Sequence, residues 1–384
     1  MFTEPAWIEP RAAYLHIPFC AHRCGYCDFA ISVGRDDLMP LYVEALTLEL
    51  AGLGSPRGVD TIFIGGGTPT HLPLRELELV LQAVNRWLPL NPGGEFSIES
   101  NPESLNPEKC RLLAGAGVTR VSIGVQTFQP HLLKALDRIH SSEQIPPAID
   151  AVKDAGLELS LDLIFGAPGA TPLDWERDLT EALAYGTSHI STYGLTYEKG
   201  TPLWKDRERG CSIALPEDDE LAMYDTAIDF LTDRGFEQYE ISNFAKPGSR
   251  CRHNEHYWAN EAYHGFGVGA ARYANFRREL NVRSTPEYIR RVLAGESPTF
   301  QSEVLSPLDR AFETLAVQLR RAEGIGFAKF EVQTGYELDS LVESRLPALL
   351  ERGLLIRNEV GVRLTRAGQR LADAIVEDLM KAKH

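Results

Sequence analysis

The sequence HIPFCAHRCGYCDF, residues 16–29, decides how this 384-residue chain is interpreted. It places Cys20, Cys24 and Cys27 in a CxxxCxxC array directly after the first predicted strand. In α/β sheets, the loops at the carboxyl ends of the strands are where ligand sites gather. A secreted disulfide scaffold would carry more than six cysteines in a far shorter chain. The array therefore predicts a metal cluster in a protein of a reducing compartment.

Two metal centres are compatible with three cysteines at this spacing. A [4Fe–4S] cluster normally takes four thiolates, so three cysteines leave one iron for a ligand from outside the chain. A structural zinc site would need a fourth protein ligand, which His16 or His22 could supply, although paired CxxC motifs are its common spacing. The residues favour the iron–sulfur cluster and leave zinc as the alternative.

Around this array the chain alternates short β-branched or aromatic runs with amphipathic helical patterns. Six runs predict strands, at residues 13–19, 61–66, 95–100, 118–126, 157–166 and 189–196. Five helical patterns lie between them, at residues 41–53, 74–88, 107–117, 141–156 and 172–186. The alternation predicts an α/β fold with a parallel sheet and crossover helices. Six such units suit either a doubly wound sheet or an incomplete (β/α) barrel.

The pattern changes twice along the chain, which predicts three parts, at residues 1–200, 201–300 and 301–384. The first part is the β/α core. The second part closes the core and contains one helix at residues 216–235 and an irregular, aromatic-rich segment at residues 246–273. In the third part, residues 348–379 read as helix, two short strands and helix, which resembles a winged helix-turn-helix in an α+β domain.

Charge and hydropathy exclude several classes of protein. The chain has 39 Lys and Arg against 54 Asp and Glu, a net charge of −15, which argues against a general nucleic-acid binder. The two signs nearly cancel across residues 301–384, so the winged-helix-like domain is expected to contact protein rather than DNA. No apolar run approaches the roughly 20 residues that span a bilayer, and the first residues lack a signal-peptide layout. We therefore expect a cytoplasmic protein in which membrane association is not evident.

Polar or flexible residues end four of the predicted strands. The second strand ends in a glycine run followed by Thr68, and three later strands end in Glu99, Gln126 and Asp162. Charged groups are costly to bury unpaired, so these strand ends predict one polar pocket, although each alone suits a satisfied structural residue or a tight turn. Arg138 supplies a guanidinium fork that can bind a carboxylate through two hydrogen bonds, or it is a solvated residue at a helix end.

The cysteine array resembles that of the radical S-adenosylmethionine (SAM) superfamily, because Tyr26 precedes the last cysteine and the array follows a first strand. The resemblance implies a partial (β/α)6 TIM-like barrel, with a [4Fe–4S] cluster on Cys20, Cys24 and Cys27 and with SAM as a second cofactor. In that family the open iron chelates the amino and carboxylate groups of SAM. One electron then cleaves the sulfonium to a 5′-deoxyadenosyl radical.

The resemblance also implies which residues contact SAM. Gly66, Gly67 and Thr68 correspond to the strip that binds the methionyl amino group, and the polar strand ends with Arg138 complete the pocket. The motifs GGGTPT, IESNP, GVQTF, LDRIH and LDLIFG occur in the order seen in the coproporphyrinogen dehydrogenase (HemN-like) branch. Tyr14, six residues before the first cysteine, matches the SAM-contacting tyrosine of that branch.

Two details separate the members of this branch. The oxygen-independent dehydrogenase has CxxxCxxCxC and a long N-terminal extension, whereas this chain has Phe29 in place of the fourth cysteine and its first cysteine is already residue 20. The segment CRHNEHYW instead carries HNxxYW, which resembles HemW-type haem chaperones. That resemblance implies haem as cargo, with His253 as the favoured axial ligand and Cys251, His256 and His264 as rivals.

The sequence analysis therefore leads to a haem chaperone with haem-accepting partners and an electron donor. One alternative is a radical SAM enzyme, either a coproporphyrinogen oxidase or a HemN-like methyltransferase. A second alternative is a non-catalytic winged-helix regulator with an iron–sulfur sensor, and a third possibility for the HNxxYW segment is a loop that merely closes the barrel. Whether SAM is consumed does not follow from the sequence.

Overall fold

A computed structural model describes residues 4–211 and 214–381, and its first part alternates strands and helices as predicted. In chain order the elements are β1 Ala12–Ile17, β2 Phe19–Cys20, β3 Ser32–Val33, α1 Met39–Ala51, β4 Val59–Gly66, α2 Leu74–Trp87, β5 Leu90–Ser100, α3 Pro107–Gly115, β6 Arg120–Gln126, α4 Pro130–Ala135, α5 Ile145–Asp154, β7 Glu158–Phe165, α6 Pro172–Ala184 and β8 His189–Gly194. Each of the six predicted strands and five predicted helices has a counterpart here. The short helix α4 is additional.

The strands β1, β4, β5, β6, β7 and β8 lie side by side in this order, and every neighbouring pair is parallel. Six parallel strands with helices between them confirm the predicted partial barrel. Nearly every residue of β6 is buried, as expected for a parallel strand that is covered on both faces. Because the strands are parallel, their carboxyl ends meet at one edge, where the cysteine array follows β1.

The next part of the chain extends this sheet at both edges. Its elements are α7 Pro202–Glu208, α8 Glu217–Thr232, β9 Glu237–Gln238, β10 Asn243–Ala245, α9 Arg252–Trp258, β11 Tyr263–Phe266, β12 Ala271–Ala274, β13 Arg277–Asn281, α10 Thr285–Leu293 and β14 Thr299–Val304. Strand β11 pairs in parallel with β1, and β10 pairs antiparallel with β8. Among the described residues, the sheet order is β14-β13-β12-β11-β1-β4-β5-β6-β7-β8-β10-β9.

The prediction of an irregular segment at residues 246–273 is therefore wrong. The segment contains the helix α9 and the strand β11, and β12 begins before it ends. Helix α9 has seven residues and a polar sequence, RHNEHYW, so it carries no apolar stripe that a periodicity search can detect. Asn260, with φ +53°, turns the chain just after the helix, a conformation that asparagine tolerates better than most residues.

The last part, residues 307–380, is called here the C-terminal module and has its own buried core. Its elements are α11 Pro307–Gln318, β15 Ile325–Gly326, α12 Phe327–Thr334, α13 Leu338–Val342, α14 Leu346–Glu351, β16 Leu355–Arg357, β17 Gly361–Leu364, α15 Arg366–Gln369 and α16 Ala372–Met380. The helix–strand–strand–helix reading of residues 348–379 is confirmed, and β15 adds a third strand in the order β15-β17-β16. This strand has two residues, which is too short to recognise by pattern.

The described parts of the chain contain no helix that is both long and apolar enough to cross a bilayer.

The core of the C-terminal module gives a direct test of the fold. Phe330 is fully buried in it, whereas Val332, two residues further along α12, is 71% exposed. We expect Phe330→Ala to destabilise the module by about 3–5 kcal/mol through lost burial and the cavity left behind. Val332→Ala should change stability by less than about 0.5 kcal/mol. Urea denaturation followed by circular dichroism measures both, and equal effects of the two substitutions would contradict this packing.

Candidate functional site

One cavity inside the barrel, called here the central cavity, collects the predicted site residues. Its volume is about 540 Å³, and it extends from the cysteines at the carboxyl ends of the strands to helix α9. The predicted residues that line it are Tyr14, Cys20, Cys24, Cys27, Gly66, Gly67, Glu99, Gln126, Arg138, Asp162 and His253. The fold therefore brings the predicted cluster ligands, the polar strand ends and the HNxxYW motif to one connected space.

The cysteine loop, residues 20–31, is closed at its base by the short parallel pair β2–β3. Its three cysteines are free, Cys20 being buried and Cys24 and Cys27 half-buried. Burial raises the pKa of Cys20 to about 12 and also raises the pKa of Cys27. Because metal ligation requires the thiolate, these thiols stay protonated at neutral pH and would release their protons to solvent when a metal binds. Three free thiols that line one cavity fit a cluster with three protein ligands.

The two histidines of the zinc alternative contact other groups of the protein, although His22 also lines the central cavity. The His16 ring uses both nitrogens, since Nδ1 lies 3.0 Å from the Tyr14 hydroxyl and Nε2 lies 2.9 Å from the Ala30 carbonyl oxygen. His22 Nε2 lies 3.1 Å from the Asp137 carboxylate. Within residues 4–211 and 214–381, no three His, Cys, Asp or Glu side chains are arranged to hold a single metal ion. The arrangement of side chains therefore does not favour zinc.

Gly66 and Gly67 are required by their neighbours within the protein. Gly66 has φ +113°, and a Cβ atom there would lie 2.6 Å from the His16 ring. A Cβ atom on Gly67 would lie 2.7 Å from the Pro18 carbonyl oxygen and 2.8 Å from that of Phe19. The glycines thus allow the end of β4 to lie directly against the chain that leads into the cysteine loop.

A hydrogen-bonded network joins two of the cysteines across the mouth of the cavity. The Thr68 hydroxyl lies 3.4 Å from Cys20 Sγ and accepts a hydrogen bond from Asn101 Nδ2 at 2.8 Å. Asn101 Oδ1 in turn accepts from Arg138 Nη2 at 2.7 Å, and Arg138 Nη1 donates to Cys24 Sγ at 3.3 Å. Thr68 is thus buried against Cys20 and holds the cysteine loop in place.

Asn101 is the member of this network that sequence reasoning missed. It lies in the IESNP motif, two residues after Glu99, and the motif was the only available signal. Its side chain uses its donor toward Thr68 and its acceptor toward Arg138, which fixes the guanidinium beside the cluster cysteines. Because the guanidinium also donates to Tyr26, Gly124 and His140, it offers a ligand carboxylate an oriented positive charge rather than a free pair of hydrogen-bond donors.

Two acidic side chains form a further part of the cavity wall. Glu99 accepts a hydrogen bond from the Gly66 N–H at 2.9 Å, and Asp162 accepts from the Ser122 hydroxyl at 3.0 Å. Burial, reinforced by the nearby charge of Asp162, raises the pKa of Glu99 to about 8. Burial also raises the pKa of Asp162. A ligand ammonium group would relieve both effects, so this wall is suited to a cation.

Gln126 and Tyr14 complete the rim. Gln126 adopts φ +66°, a left-handed conformation that is uncommon outside glycine and that ends β6 at the cavity wall. The Tyr14 hydroxyl lies 3.0 Å from His16, and its ring stacks on Phe63 with 6.3 Å between centroids. Burial raises the pKa of Tyr14 well above its ordinary value, so the phenol stays protonated.

Helix α9 reaches the cavity from the other end, and a buried carboxylate fixes its first turn. Glu95 of β5 accepts hydrogen bonds from the backbone N–H groups of Arg252, at 3.1 Å, and His253, at 3.3 Å. Arg120 Nη1 lies 3.2 Å from the same carboxylate and balances its charge. Backbone N–H groups at a helix start have no partner within the helix, and an anion there is stabilising. Sequence reasoning missed Glu95, which begins an otherwise ordinary strand pattern.

His253 has one ring nitrogen available inside the protein. Its Nδ1 lies 2.9 Å from the Thr61 hydroxyl, and its ring lies between Phe63 and Tyr257, with centroid distances of 5.2 Å and 4.6 Å. Its Nε2 is buried without a hydrogen-bond partner among the described residues. Burial lowers the pKa of His253 to about 3, so the imidazole is neutral at physiological pH. A neutral imidazole with one unpartnered nitrogen is suited to bind a metal ion.

The three rival ligands are placed less favourably. His256 uses both ring nitrogens, with Nε2 2.7 Å from the Ala262 carbonyl oxygen and Nδ1 2.7 Å from the Glu261 carboxylate. The Cys251 thiol donates to Glu95 at 3.4 Å, and burial raises its pKa. His264 lines a separate groove away from the central cavity.

Comparisons with known proteins agree with this geometry. Residues 14–182 match the family model described as the radical SAM superfamily, and residues 305–371 match the HemN C-terminal domain. The chain is 36% identical over 371 residues to a protein of Bacillus subtilis named heme chaperone HemW, covering 95% of this chain and 98% of that protein. The chain belongs to the HemW family of radical SAM proteins. The Escherichia coli protein of the same name is 32% identical, with 96% of this chain and 98% of the relative covered.

A solved structure shows the same fold. Coproporphyrinogen III oxidase (HemN) from Escherichia coli, described as a radical SAM enzyme, superposes with a TM-score of 0.84 over 97% of this chain and 90% of that chain. Its sequence identity to this chain is 22%, so the likeness concerns the fold. As a radical SAM protein, the HemW family member described here has a [4Fe–4S] cluster and SAM as cofactors. The free cysteines and the rim described above fit both groups.

The contact between Gly67 and the cysteine loop can be tested by adding one methyl group. Gly67→Ala would press a Cβ atom against two backbone oxygens, so we expect a loss of about 1–3 kcal/mol of stability and a severalfold loss of iron and sulfide per reconstituted chain. Gly115→Ala is the matched control because a Cβ atom there would meet open space. Normal iron content in Gly67→Ala would show that the loop does not depend on this contact.

The raised pKa of Glu99 predicts a pH-dependent stability. Between the ordinary pKa of 4.5 and the folded pKa of about 8, the unfolded chain releases this proton while the folded protein keeps it. Stability is therefore lost as the pH rises through this window. Without cluster or SAM, Glu99→Gln should gain on the wild type by on the order of 1–3 kcal/mol between about pH 5 and pH 8.5.

Thermal unfolding at the two pH values measures this gain. Glu108→Gln, at an exposed helix start, should differ from the wild type equally at both pH values. A pH-independent effect of Glu99→Gln would contradict the raised pKa.

Proposed function

We propose that this protein is a cytoplasmic haem chaperone that binds a [4Fe–4S] cluster, SAM and haem, and transfers the haem to acceptor proteins. The relatives named heme chaperone HemW, which cover nearly the whole chain, support this assignment. The observation that carries it is the free Nε2 atom of His253, buried at the wall of the cavity that the cluster cysteines also line. An axial iron ligand needs such a nitrogen.

In this proposal, the cysteines and rim residues of the central cavity are assigned to the cluster and to SAM. Cys20, Cys24 and Cys27 would hold the cluster, which would supply one-electron chemistry to bound SAM. Arg138 receives the carboxylate, and Glu99 with Asp162 faces the cationic part of SAM. The rim residues Gly66, Gly67, Thr68, Gln126 and Tyr14 shape this pocket, Thr68 by supporting Cys20.

His253 is assigned to the haem iron. The Thr61 hydroxyl fixes the tautomer and orientation of the imidazole from the Nδ1 side, as outer partners of metal-bound histidines commonly do. The rings of Phe63 and Tyr257 limit its rotation. Since Tyr14 stacks on Phe63, an aromatic column links the SAM rim to the haem ligand. Along this column the cluster and SAM would supply the gating of haem transfer, and an electron donor would set the oxidation state of the cluster.

The second candidate is a radical SAM enzyme, a coproporphyrinogen oxidase or a methyltransferase. Its support is the complete SAM rim and the fold shared with the Escherichia coli oxidase. Phe29 stands where the oxidase has its fourth cysteine, and its side chain is 58% exposed at the edge of the cavity. A phenyl ring cannot ligate iron, so the fourth cysteine ligand of the oxidase has no equivalent at this position. The wild-type chaperone should release little 5′-deoxyadenosine with coproporphyrinogen III.

Anaerobic reconstitution followed by haem titration tests the proposal. We expect one haem per chain and a Soret band in the wild type, with His253→Ala weakening haem affinity at least about tenfold, or 1.4 kcal/mol. His253→Ala should retain its cluster. Cys24→Ala should lose the cluster, and His264→Ala is the matched control because that ring lines another groove.

Three results would count against the proposal. Decarboxylation of coproporphyrinogen III with deoxyadenosine release, and without haem binding, would establish the enzyme instead. Unchanged haem affinity in His253→Ala would move the ligand to another residue. Specific DNA binding that survives moderate salt would favour the winged-helix regulator.

A further inference from the structure

Helix α9 is held at both ends, and its second end is held by the C-terminal module. The last helical residue is Trp258. The next two carbonyl groups, of Ala259 and Asn260, accept hydrogen bonds from side chains of α11 and α12. Gln333 Nε2 donates to the carbonyl oxygens of Ala259, at 3.1 Å, and Asn260, at 2.9 Å. Gln318 Nε2 donates to the same Ala259 oxygen at 2.9 Å.

The two glutamines form one buried unit. Gln318 is 3% exposed and Gln333 is 8% exposed, and Gln318 Nε2 also donates to Gln333 Oε1 at 2.9 Å. Glutamine is mostly found on protein surfaces, so two buried glutamines that share hydrogen bonds call for an explanation. Their donors satisfy carbonyl groups at a helix end, which would otherwise lack partners within the helix.

Two further contacts strengthen the same junction. Asn260 Nδ2 donates to the buried Thr314 hydroxyl at 3.0 Å. The Arg320 guanidinium lies 5.4 Å from the centroid of the Trp258 ring, the last residue of the HNxxYW motif. Contacts from α11 and α12 therefore concentrate on residues 258–260, directly after the motif helix.

A seven-residue helix is too short to be stable by itself, so its position depends on what holds its ends. The first turn is fixed by Glu95 of the barrel. The other end, six residues from His253 and about 9 Å along the helix axis, is fixed by Gln318 and Gln333. The orientation of the His253 imidazole is thus set jointly by the barrel and by the C-terminal module.

We propose that Gln318 and Gln333 are positioning residues for the haem ligand, through which the C-terminal module sets the place of His253 Nε2 in the central cavity. This inference rests on the proposed function, in which His253 binds the haem iron. It assigns the C-terminal module a part in holding and releasing haem that is separate from any contact with acceptor proteins.

The test compares near-isosteric substitutions in the full chain with cluster and haem bound. Gln333→Met removes both of its donors and keeps the shape of the side chain. Gln318→Met is the milder variant because the two bonds that Gln333 donates to the α9 end remain, although Gln333 Oε1 loses its donor. Thr334→Val is the matched control, since it removes a buried hydroxyl from the same helix, and the partners of that hydroxyl are the local backbone groups of Phe330 and Tyr336.

Three measurements are made on each variant: the rate of haem loss to apomyoglobin, the electron paramagnetic resonance spectrum of the ferric haem, and the iron content with the spectral response to SAM. We expect haem loss to become about tenfold faster in Gln333→Met, with altered ferric haem signals. Cluster content and the SAM response should stay at wild-type values. In a His253→Ala background, Gln333→Met should add nothing further.

The outcomes separate this inference from the proposed function. Wild-type haem loss and spectra in both glutamine variants, with His253→Ala defective, would overturn the positioning role and leave the haem ligand standing. Wild-type behaviour of His253→Ala would instead overturn the ligand assignment. An equal defect in Thr334→Val would show that the effect is a general loss of stability in the C-terminal module, and would overturn the positioning role. The same conclusion would follow if Gln333→Met added a further defect in the His253→Ala background. If Gln333→Met does not fold, the same criteria apply to Gln318→Met.

Discussion

The close contact between the end of β4 and the chain entering the cysteine loop constrains the part of the site that surrounds the cluster cysteines. Gly67 lies so near to the carbonyl oxygens of Pro18 and Phe19 that a Cβ atom at position 67 would push the two segments of chain apart. This contact brings Thr68 to Cys20, and Thr68 in turn orients Asn101 toward Arg138. The geometry around the cluster cysteines therefore follows from a backbone approach that only glycine permits.

The central cavity places opposite charges near one another. Glu99 and Asp162 have raised pKa values, and Arg138 donates to the Gly124 carbonyl oxygen of β6, the strand that lies between theirs. A zwitterion such as the methionyl end of SAM presents both charges at once, so it matches this arrangement. Deeper in the barrel, Arg120 lies beside both Glu95 and Glu158, and Glu95 accepts a hydrogen bond from the backbone of α9.

The sequence was sufficient wherever the signal was local. Buried β-branched runs identified the strands, and the spacing of the cysteines identified their loop, because both patterns lie within a few consecutive residues. Asn101 and Glu95 were missed because their importance depends on partners far away in the chain, Arg138 in one case and α9 in the other. Helix α9 was missed because its polar residues face buried hydrogen-bond partners, so hydrophobic periodicity carries no information about it. The resemblance already favoured His253, and the positions of the His253 and His256 ring nitrogens supply a physical reason that the sequence could not.

The extension of the sheet has a consequence for biosynthesis. Strand β1 pairs with β4 early in the chain and with β11 only after about 250 more residues have been made. Chains emerge from the ribosome with the N-terminal part first, so the cysteine loop and the six parallel strands exist before α9 does. Until α9 is made, the cavity lacks the helix that lines its end opposite the cysteines. The cluster ligands are therefore synthesised long before His253 and the rest of the HNxxYW motif.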